Sequence, residues 1–233
     1  MPTMVSGWME TAVGDGTHMR SWVARPVSGK HPALIVLQEA FGVNGHIRAV
    51  TELFASEGFC AIAPELYHRT APGQEFPYEN FEAVRPHMQA VTPDNAGLDL
   101  QAAYDWLKAQ TFVDRSHVSS VGFCMGGRIS FIANSALPLK RAVSFYGGGI
   151  APALLDRVPA LRGSMLFFWG ELDKKIPKDQ RDELTAAMLR HNKEYTNVEF
   201  SYADHGFFCD ERPSYEPRAS RMALRMTLDF LRS

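Results

Sequence analysis

The sequence predicts an α/β fold: one domain, residues 1–233, built on a mostly parallel sheet with helices on both faces. Two observations predict this fold. Short apolar runs alternate with stretches of helical spacing from residue 33 onward, which is the pattern of βαβ units. The 233 residues, 45% of them hydrophobic, are also enough to build one sizeable core. Because right-handed crossovers bring the carboxyl ends of parallel strands to one edge, ligands are expected to bind there.

The elements before residue 111 include a hairpin, two buried strands and two helices. Ala33–Leu37 is a continuous apolar run, typical of a strand buried on both faces. Thr92 and Pro93 are suited to the N-cap and first position of a helix. Residues 64–92 show little periodicity, so we predict an irregular excursion that supplies part of the substrate cover. The predicted bounds are 8–13 and 19–24 for the hairpin, 33–37 and 59–63 for the strands, and 47–57 and 93–110 for the helices.

The elements after residue 111 continue the alternation of strands and helices. His117–Val121 is a β-branched run, as in a strand. Pro217–Leu231 has apolar residues at helical spacing, as in an amphipathic closing helix. The predicted strands are 117–121, 142–146, 163–169 and 198–202, and the predicted helices are 128–134, 179–191 and 217–231.

Composition and charge exclude several classes of protein. The formal net charge of -2 gives no electrostatic basis for binding nucleic acid or an anionic membrane. The 3 cysteines lack metal-ligand spacing, and so sparse a set favours a reducing compartment over a disulfide framework. The first ten residues lack a basic start, and no run is long enough to span a bilayer. We therefore predict a cytoplasmic protein, a monomer or a weak homodimer, without a metal site.

A tight turn with the pattern Gly122-x-Cys124-x-Gly126 joins a predicted strand to a predicted helix. This is the nucleophile-elbow pattern, with cysteine where serine is commoner. Small residues are needed two positions before and after the nucleophile, because the strand and helix backbones crowd there. The helix N-terminus beside Cys124 favours a thiolate over a thiol. The alternative interpretation is a small buried cysteine beside a glycine turn.

Two further residues that follow predicted strands are an acid and a histidine, Asp173 and His205. With Cys124 they keep the chain order nucleophile, acid, histidine, which is typical of the α/β-hydrolase fold. Glu171 and Asp204 are the alternatives for the acid, and His205 by itself is no more than a loop histidine. The three residues in this order predict one catalytic site.

The predicted site divides the chemistry among its groups. A free thiol, with a pKa of about 8.5, is mostly protonated at neutral pH and needs a base. His205 can take the proton and later deliver it to the leaving group, while Asp173 fixes the imidazole tautomer. Two backbone N–H groups are expected to stabilise the tetrahedral oxyanion. One is that of Met125, next to the nucleophile, and we place the other in the loop after the first buried strand, at Ala40.

Five short motifs carry a family resemblance. They are Gln38-Glu-Ala-Phe-Gly-Val-Asn44, Pro64-Glu-Leu-Tyr67, Gly122-Phe-Cys-Met-Gly-Gly127, Gly170-Glu-Leu-Asp173 and His205-Gly-Phe207. On these motifs the chain resembles the dienelactone hydrolases, or carboxymethylenebutenolidases, over nearly its whole length. The resemblance implies a cysteine-dependent hydrolase that opens an enol-lactone ring, giving maleylacetate from 4-carboxymethylenebut-2-en-4-olide. It implies no metal or organic cofactor.

The resemblance also gives a role to Glu39. Spacing alone indicates a carboxylate at the catalytic edge of the sheet, with a solvated loop glutamate as the default. In the family, the glutamate of this motif pairs with the resting thiol until substrate binding displaces it. The resemblance thus implies that Glu39 modulates the Cys124 thiol, and a resting neutral thiol resists oxidation better than a thiolate.

The substrate contacts depart from the family pattern. Family members that act on dienelactone bind its carboxylate with arginines, one of them shortly after the catalytic histidine, where this chain has Cys209. Arg212 lies three residues further on, and Arg85 and Arg69 compete for the second position. Phe207 and other aromatic residues suggest a pocket for larger or less charged esters.

Three alternatives to a dienelactone hydrolase stay open. The first is a broad-specificity esterase or thioesterase that does not act on dienelactone. The second is a non-catalytic protein that binds a small molecule on the same fold. The third is a redox-sensing thiol, which would need Cys209 close to Cys124. The expected partner of the enzyme is a small-molecule lactone or ester.

Overall fold

A computed structural model describes residues 3–233. The prediction about the first ten residues also covers Met1 and Pro2, which lie outside the described residues. The strands are β1 Met4–Ala12, β2 His18–Pro26, β3 His31–Leu37, β4 Cys60–Pro64, β5 Val113–Phe123, β6 Arg141–Phe145, β7 Ser164–Gly170 and β8 Tyr195–Phe200. The helices are α1 Gly45–Ser56, α2 Phe81–Ala90, α3 Pro93–Ala109, α4 Met125–Ala136, α5 Lys178–Arg190 and α6 Pro217–Arg232, with a short 3-10 helix at Leu155–Ala160.

The strands form an eight-stranded sheet in the order β1-β2-β4-β3-β5-β6-β7-β8. β1 pairs antiparallel with β2, and β2 with β4. β3 runs parallel to β4, and β6, β7 and β8 run parallel to one another, so the predicted mostly parallel sheet is confirmed. The chain divides into two compact units, residues 1–120 and 121–233, and β5 passes through the boundary. The single-domain organisation stays a prediction.

The regular elements follow the local signals in the sequence. Every residue of Ala33–Leu37 is buried, and so is every residue of β4, as expected of strands covered on both faces. The N-cap of α3 is Thr92, whose hydroxyl accepts the N–H of Asn95 at 3.3 Å. The predicted start of this helix is therefore confirmed.

The excursion after β4 is more ordered than the sequence indicates. Glu65 is buried and accepts hydrogen bonds from the guanidinium of Arg20 and the N–H of Gly73, each at 2.9 Å. α2 lies inside the range 64–92 that we predict to be irregular, and only Val84 of this helix is buried. Phe81, Val84 and Met88 have helical spacing, but Pro86 lies inside the helix, and a proline there argues against a helix in the sequence.

Three strands differ from their predicted bounds by three residues or more at one end, and one of them is β1, which begins at Met4 rather than 8. β5 begins at Val113 rather than 117, and β8 spans Tyr195–Phe200 rather than 198–202, because a turn begins at Ser201. Among residues 3–233, no helix combines the length and apolar character needed to cross a bilayer.

Candidate active site

Cys124 lies between the end of β5 and the start of α4 in a strained backbone conformation, with φ 55 and ψ -115. Positive φ is unfavourable for a residue with a Cβ, and such outliers cluster at active sites. Two hydrogen bonds fix this turn: the N–H of Cys124 donates to the carbonyl of Phe145, and its carbonyl accepts the N–H of Gly127, each at 3.0 Å. The side chain is half-buried, so the sulfur retains access.

The glycines of the elbow are required by close backbone contacts. A Cβ on Gly122 would lie 1.9 Å from the carbonyl oxygen of Gly126, and a Cβ on Gly127 would lie 2.7 Å from that of Phe145. No side chain fits at such distances. The strand and helix backbones are therefore as close together around the nucleophile as the prediction of small residues there requires.

The imidazole of His205 lies between the thiol and a carboxylate. Its Nε2 is 3.0 Å from Cys124 Sγ, and its Nδ1 is 2.7 Å from Asp173 Oδ2. The two alternative acids have other partners. Glu171 binds Arg181 at 2.6 Å, and Asp204 accepts the backbone N–H of His205 rather than its ring. The structure thus brings together the nucleophile, base and acid that the sequence predicts.

Backbone contacts join the acid turn to the loop that carries the histidine. The N–H groups of Glu171 and Leu172 donate to the carbonyls of Phe200 and Ala203, each at 3.0 Å. A Cβ on Gly170 would lie 2.4 Å from the carbonyl oxygen of Ala203, so only glycine permits this approach. The backbone segments that carry the acid and the histidine are therefore held close together by main-chain contacts.

The electrostatics of the site favour a charged imidazole. Burial alone would lower the pKa of His205, but the negative charge of Cys124 and the hydrogen bonds with Asp173 and Cys124 raise this pKa to about 10. Burial would raise the pKa of Asp173, but its hydrogen bond with His205 and the charge of that imidazole hold it below 3.8. The arrangement thus favours an imidazolium next to the sulfur of the nucleophile, where it can act as a general acid.

The predicted oxyanion donors occupy defined backbone positions in different parts of the chain. Met125 is the first residue of α4, directly after Cys124. Ala40 follows β3, and its carbonyl accepts the hydroxyl of Tyr67 at 2.8 Å. Glu39, beside it, is 1% exposed, so the default of a solvated loop glutamate is wrong.

The arginines predicted from the excursion after β4 have partners of their own. Arg69 binds both oxygens of buried Asp99, at 2.7 and 2.9 Å, and also reaches Asp15 at 2.7 Å. These bonds give Arg69 a structural role, and we remove it from the substrate contacts. Arg85 lies on the exposed side of α2 and pairs with Glu82 at 2.7 Å.

The residues after His205 differ in their surroundings. Arg212 is half-buried, and its guanidinium lies against Gly206, where an added Cβ would be 2.4 Å from Nη1. Cys209 is fully buried. Phe207 is also fully buried, packed among the rings of the core, so its interpretation as a substrate contact is wrong. An aromatic residue after a catalytic histidine can face either way, and its sequence position does not decide which.

One residue near the site was not predicted. Tyr146, the last residue of the predicted strand 142–146, instead follows β6 with φ 38, and its ring centre is 5.2 Å from that of His205. The sequence contains no signal for this conformation. Among residues 3–233, no group of three or more His, Cys, Asp or Glu side chains is arranged to hold a metal ion.

Comparison with known proteins places the chain in a family. The family model described as "Dienelactone hydrolase family" matches residues 19–233, which is most of the chain. The chain belongs to the dienelactone hydrolase family. Family membership confirms the predicted resemblance and the hydrolase class.

Relatives and solved structures agree with this assignment. A Synechocystis protein named "Putative carboxymethylenebutenolidase" is 36% identical over 220 residues, covering 90% of this chain and 89% of the relative. A carboxymethylenebutenolidase from Pseudomonas putida is 29% identical, with 93% and 92% covered. The crystal structure of a protein described as a "Putative Dienelactone Hydrolase" from Klebsiella pneumoniae superposes with a TM-score of 0.89 at 30% identity, covering 99% of both chains. The predicted α/β-hydrolase fold is thereby confirmed.

Proposed function

We propose that this dienelactone hydrolase family member hydrolyses a lactone or carboxylic ester through a thioester on Cys124. One observation carries the proposal: His205 lies within hydrogen-bond distance of both the Cys124 sulfur and the Asp173 carboxylate, at 3.0 and 2.7 Å. The strained elbow that presents the sulfur supports it, because strain of this kind persists where it serves function.

Acylation begins with the thiolate of Cys124. Its sulfur bonds to the substrate carbonyl carbon, and the carbonyl electrons move onto oxygen. We place the N–H groups of Met125 and Ala40 as donors to this oxyanion. The carbon–oxygen bond to the leaving group then breaks, and the imidazolium of His205 delivers its proton to that oxygen. In a lactone the released oxygen stays tethered to the acyl chain.

Deacylation uses the same residues in reverse order. His205, now neutral, takes a proton from water as the water oxygen bonds to the thioester carbon. The carbon–sulfur bond breaks, which releases a carboxylic acid and restores the thiolate beside the imidazolium. Asp173 holds the imidazole in one tautomer throughout, because it bonds to Nδ1 and leaves Nε2 for the reacting groups.

Substrate recognition divides the proposal into two versions. In the first, an enol lactone of the dienelactone type binds with its carboxylate on Arg212 or Arg85. In the second, the chain is a broad-specificity esterase or thioesterase without a carboxylate site. The salt bridges of Arg69 and the burial of Cys209, at the position where the family has an arginine, favour the second version.

A modulating role for Glu39 belongs to the same proposal. Its burial supports a specific function, because a carboxylate without one is seldom removed from water. Glu39→Gln is expected to change both ester hydrolysis and the rate at which iodoacetamide alkylates Cys124. If both rates equal those of the wild type, Glu39 does not modulate the thiol.

Steady-state hydrolysis of a dienelactone and of a neutral aryl ester tests the function. The enzymes compared are the wild type, Cys124→Ala and the control Cys60→Ala, which removes a buried thiol elsewhere. We expect Cys124→Ala to be inactive and Cys60→Ala to be active. Turnover of dienelactone supports the first version, and turnover of the aryl ester alone supports the second. If Cys124→Ala hydrolyses an ester as fast as the wild type, the thioester mechanism is wrong. If the wild type hydrolyses neither substrate, the non-catalytic binding protein becomes the favoured alternative.

A further inference from the structure

Tyr146 has a backbone conformation that its residue type disfavours. Within residues 3–233, the non-glycine residues with positive φ are Cys124, Tyr146 and Asn192. Asn192 follows the end of α5, where asparagine commonly adopts this conformation. Cys124 is the nucleophile of the elbow. A bulky aromatic residue at φ 38 is a genuine outlier, and outliers of this kind point to a functional constraint.

The ring of Tyr146 is packed between the catalytic histidine and the core. The residue is fully buried, and its N–H donates to the carbonyl of Phe168 at 2.8 Å, which fixes the backbone directly after β6. Its ring centre lies 5.2 Å from the His205 imidazole, with the two planes at 58°, and 5.2 Å from the ring of Phe207. The His205 imidazole therefore packs against the ring of Tyr146, which in turn packs against the ring of Phe207.

The backbone around Tyr146 contacts the nucleophile turn. The residue before it, Phe145, accepts the N–H of Cys124 at 3.0 Å. In the residue after it, Gly147, an added Cβ would lie 2.8 Å from the carbonyl carbon of Gly127, in the first turn of α4. One three-residue segment thus contacts the nucleophile turn through its backbone and the histidine through the side chain of Tyr146.

We propose that Tyr146 is a positioning residue whose ring holds the His205 imidazole within hydrogen-bond distance of the Cys124 sulfur. Asp173 anchors only one edge of the imidazole, and the terminal torsion of a histidine is broad. A ring packed against the imidazole restricts this torsion. This inference rests on the proposed function, since it needs Cys124 and His205 to react together.

The test compares the alkylation of Cys124 by iodoacetamide as a function of pH. In this reaction the thiolate sulfur bonds to carbon and displaces iodide, so neither an ester substrate nor an oxyanion hole is needed. Tyr146→Leu removes the ring, Tyr146→Phe keeps it, and Phe168→Leu is the matched control. Phe168 is equally buried, on the neighbouring strand, and its ring packs on Phe145 and Phe200.

We expect Tyr146→Leu to slow alkylation near neutral pH by at least about tenfold. The rate should then rise with pH as for an ordinary thiol, and kcat for the aryl ester should fall by a similar factor with KM less affected. Tyr146→Phe and Phe168→Leu are expected to keep the wild-type pH profile. If Tyr146→Leu does not fold, Tyr146→Met takes its place in the same comparison.

Two results would overturn the inference. One is a Tyr146→Leu profile that matches Phe168→Leu, which would make the ring an ordinary part of the core. The other is an equal loss in Tyr146→Phe, which would assign the effect to the hydroxyl group. Failure of the proposed function has a different signature, because Cys124 of the wild type would then alkylate like a free thiol and Cys124→Ala would keep hydrolytic activity.

Discussion

Gly122 is a position in the site where the three atoms nearest to an added methyl group all belong to the main chain. A Cβ there would lie 1.9 Å from the carbonyl oxygen of Gly126, 2.3 Å from its carbonyl carbon and 2.9 Å from the nitrogen of Gly127. Ordinary contact begins at 3.4 Å, so the two backbones must separate by about 1.5 Å (3.4 − 1.9 = 1.5). Cys124 links the two segments, and any such movement displaces its sulfur.

We therefore expect Gly122→Ala to reduce both stability and catalysis. Overpacking costs about 1–3 kcal/mol, and we expect the upper end because no side chain can turn away to make room. Displacing a reacting group by about 1 Å costs about 100-fold in rate. Urea denaturation measures the first effect, and kcat and KM for an aryl ester measure the second. The loss should lie mainly in kcat, because the change is at the nucleophile.

Gly148→Ala is the control for this substitution. Its Cβ would lie 3.4 Å from Cγ1 and 3.6 Å from Cδ1 of Ile176, which are ordinary contacts with a flexible side chain. We expect it to keep wild-type activity and a similar free energy of unfolding. If Gly122→Ala behaves like Gly148→Ala, the close approach at the elbow does not constrain the nucleophile, and the reasoning from backbone crowding is wrong.

Three further predictions concern charge and burial. The pKa of His205 is raised from 6.5 to about 10, so the charged imidazole contributes fully to the free energy of unfolding below pH 6.5, and this contribution is lost as pH rises through 10. Urea denaturation at several pH values should therefore show that His205→Gln lowers the free energy of unfolding less and less over this range. Asp99→Asn leaves the guanidinium of Arg69 half-paired and should cost about 3 kcal/mol without lowering kcat of the folded enzyme; lost kcat would return Arg69 to the substrate contacts. Burial raises the pKa of Cys60 to about 12, so mass spectrometry near pH 8 should find no rapid alkylation of this thiol, and rapid labelling would contradict its burial.

The catalytic residues could be predicted because their signals are local in the chain. The elbow needs small residues at fixed spacing around Cys124, because the strand backbone and the helix backbone approach each other closely there. This requirement is local and does not depend on the rest of the fold. Asp173 and His205 each follow a predicted strand, and parallel strands share one carboxyl edge. The sequence also favours Asp173 over Glu171 and Asp204 as the acid, and the structure adds that Glu171 pairs with Arg181.

The substrate contacts could not be predicted because they depend on partners distant in the chain. Arg69 forms a salt bridge with Asp99, 30 residues away in the chain, and no residue near Arg69 in the sequence indicates this pair. Phe207 looks like a pocket residue beside His205, but rings from neighbouring strands enclose it. α2 was missed for a different reason, because Pro86 in its interior argues against a helix although Phe81, Val84 and Met88 have helical spacing.

A line of backbone hydrogen bonds connects the strand ends on which the site is built. The N–H of Cys124, after β5, donates to the last residue of β6; the N–H of Tyr146, after β6, donates to Phe168 of β7; and the N–H of Glu171, after β7, donates to the last residue of β8. Each bond extends the hydrogen-bonding pattern of the sheet by one residue past the end of a strand. Two of the three donors, Cys124 and Tyr146, have positive φ. The strain at Cys124 and Tyr146 is therefore held by the sheet itself. This backbone framework fixes the turn of the nucleophile and the strand end next to the acid, and within it the ring of Tyr146 orients the imidazole of His205.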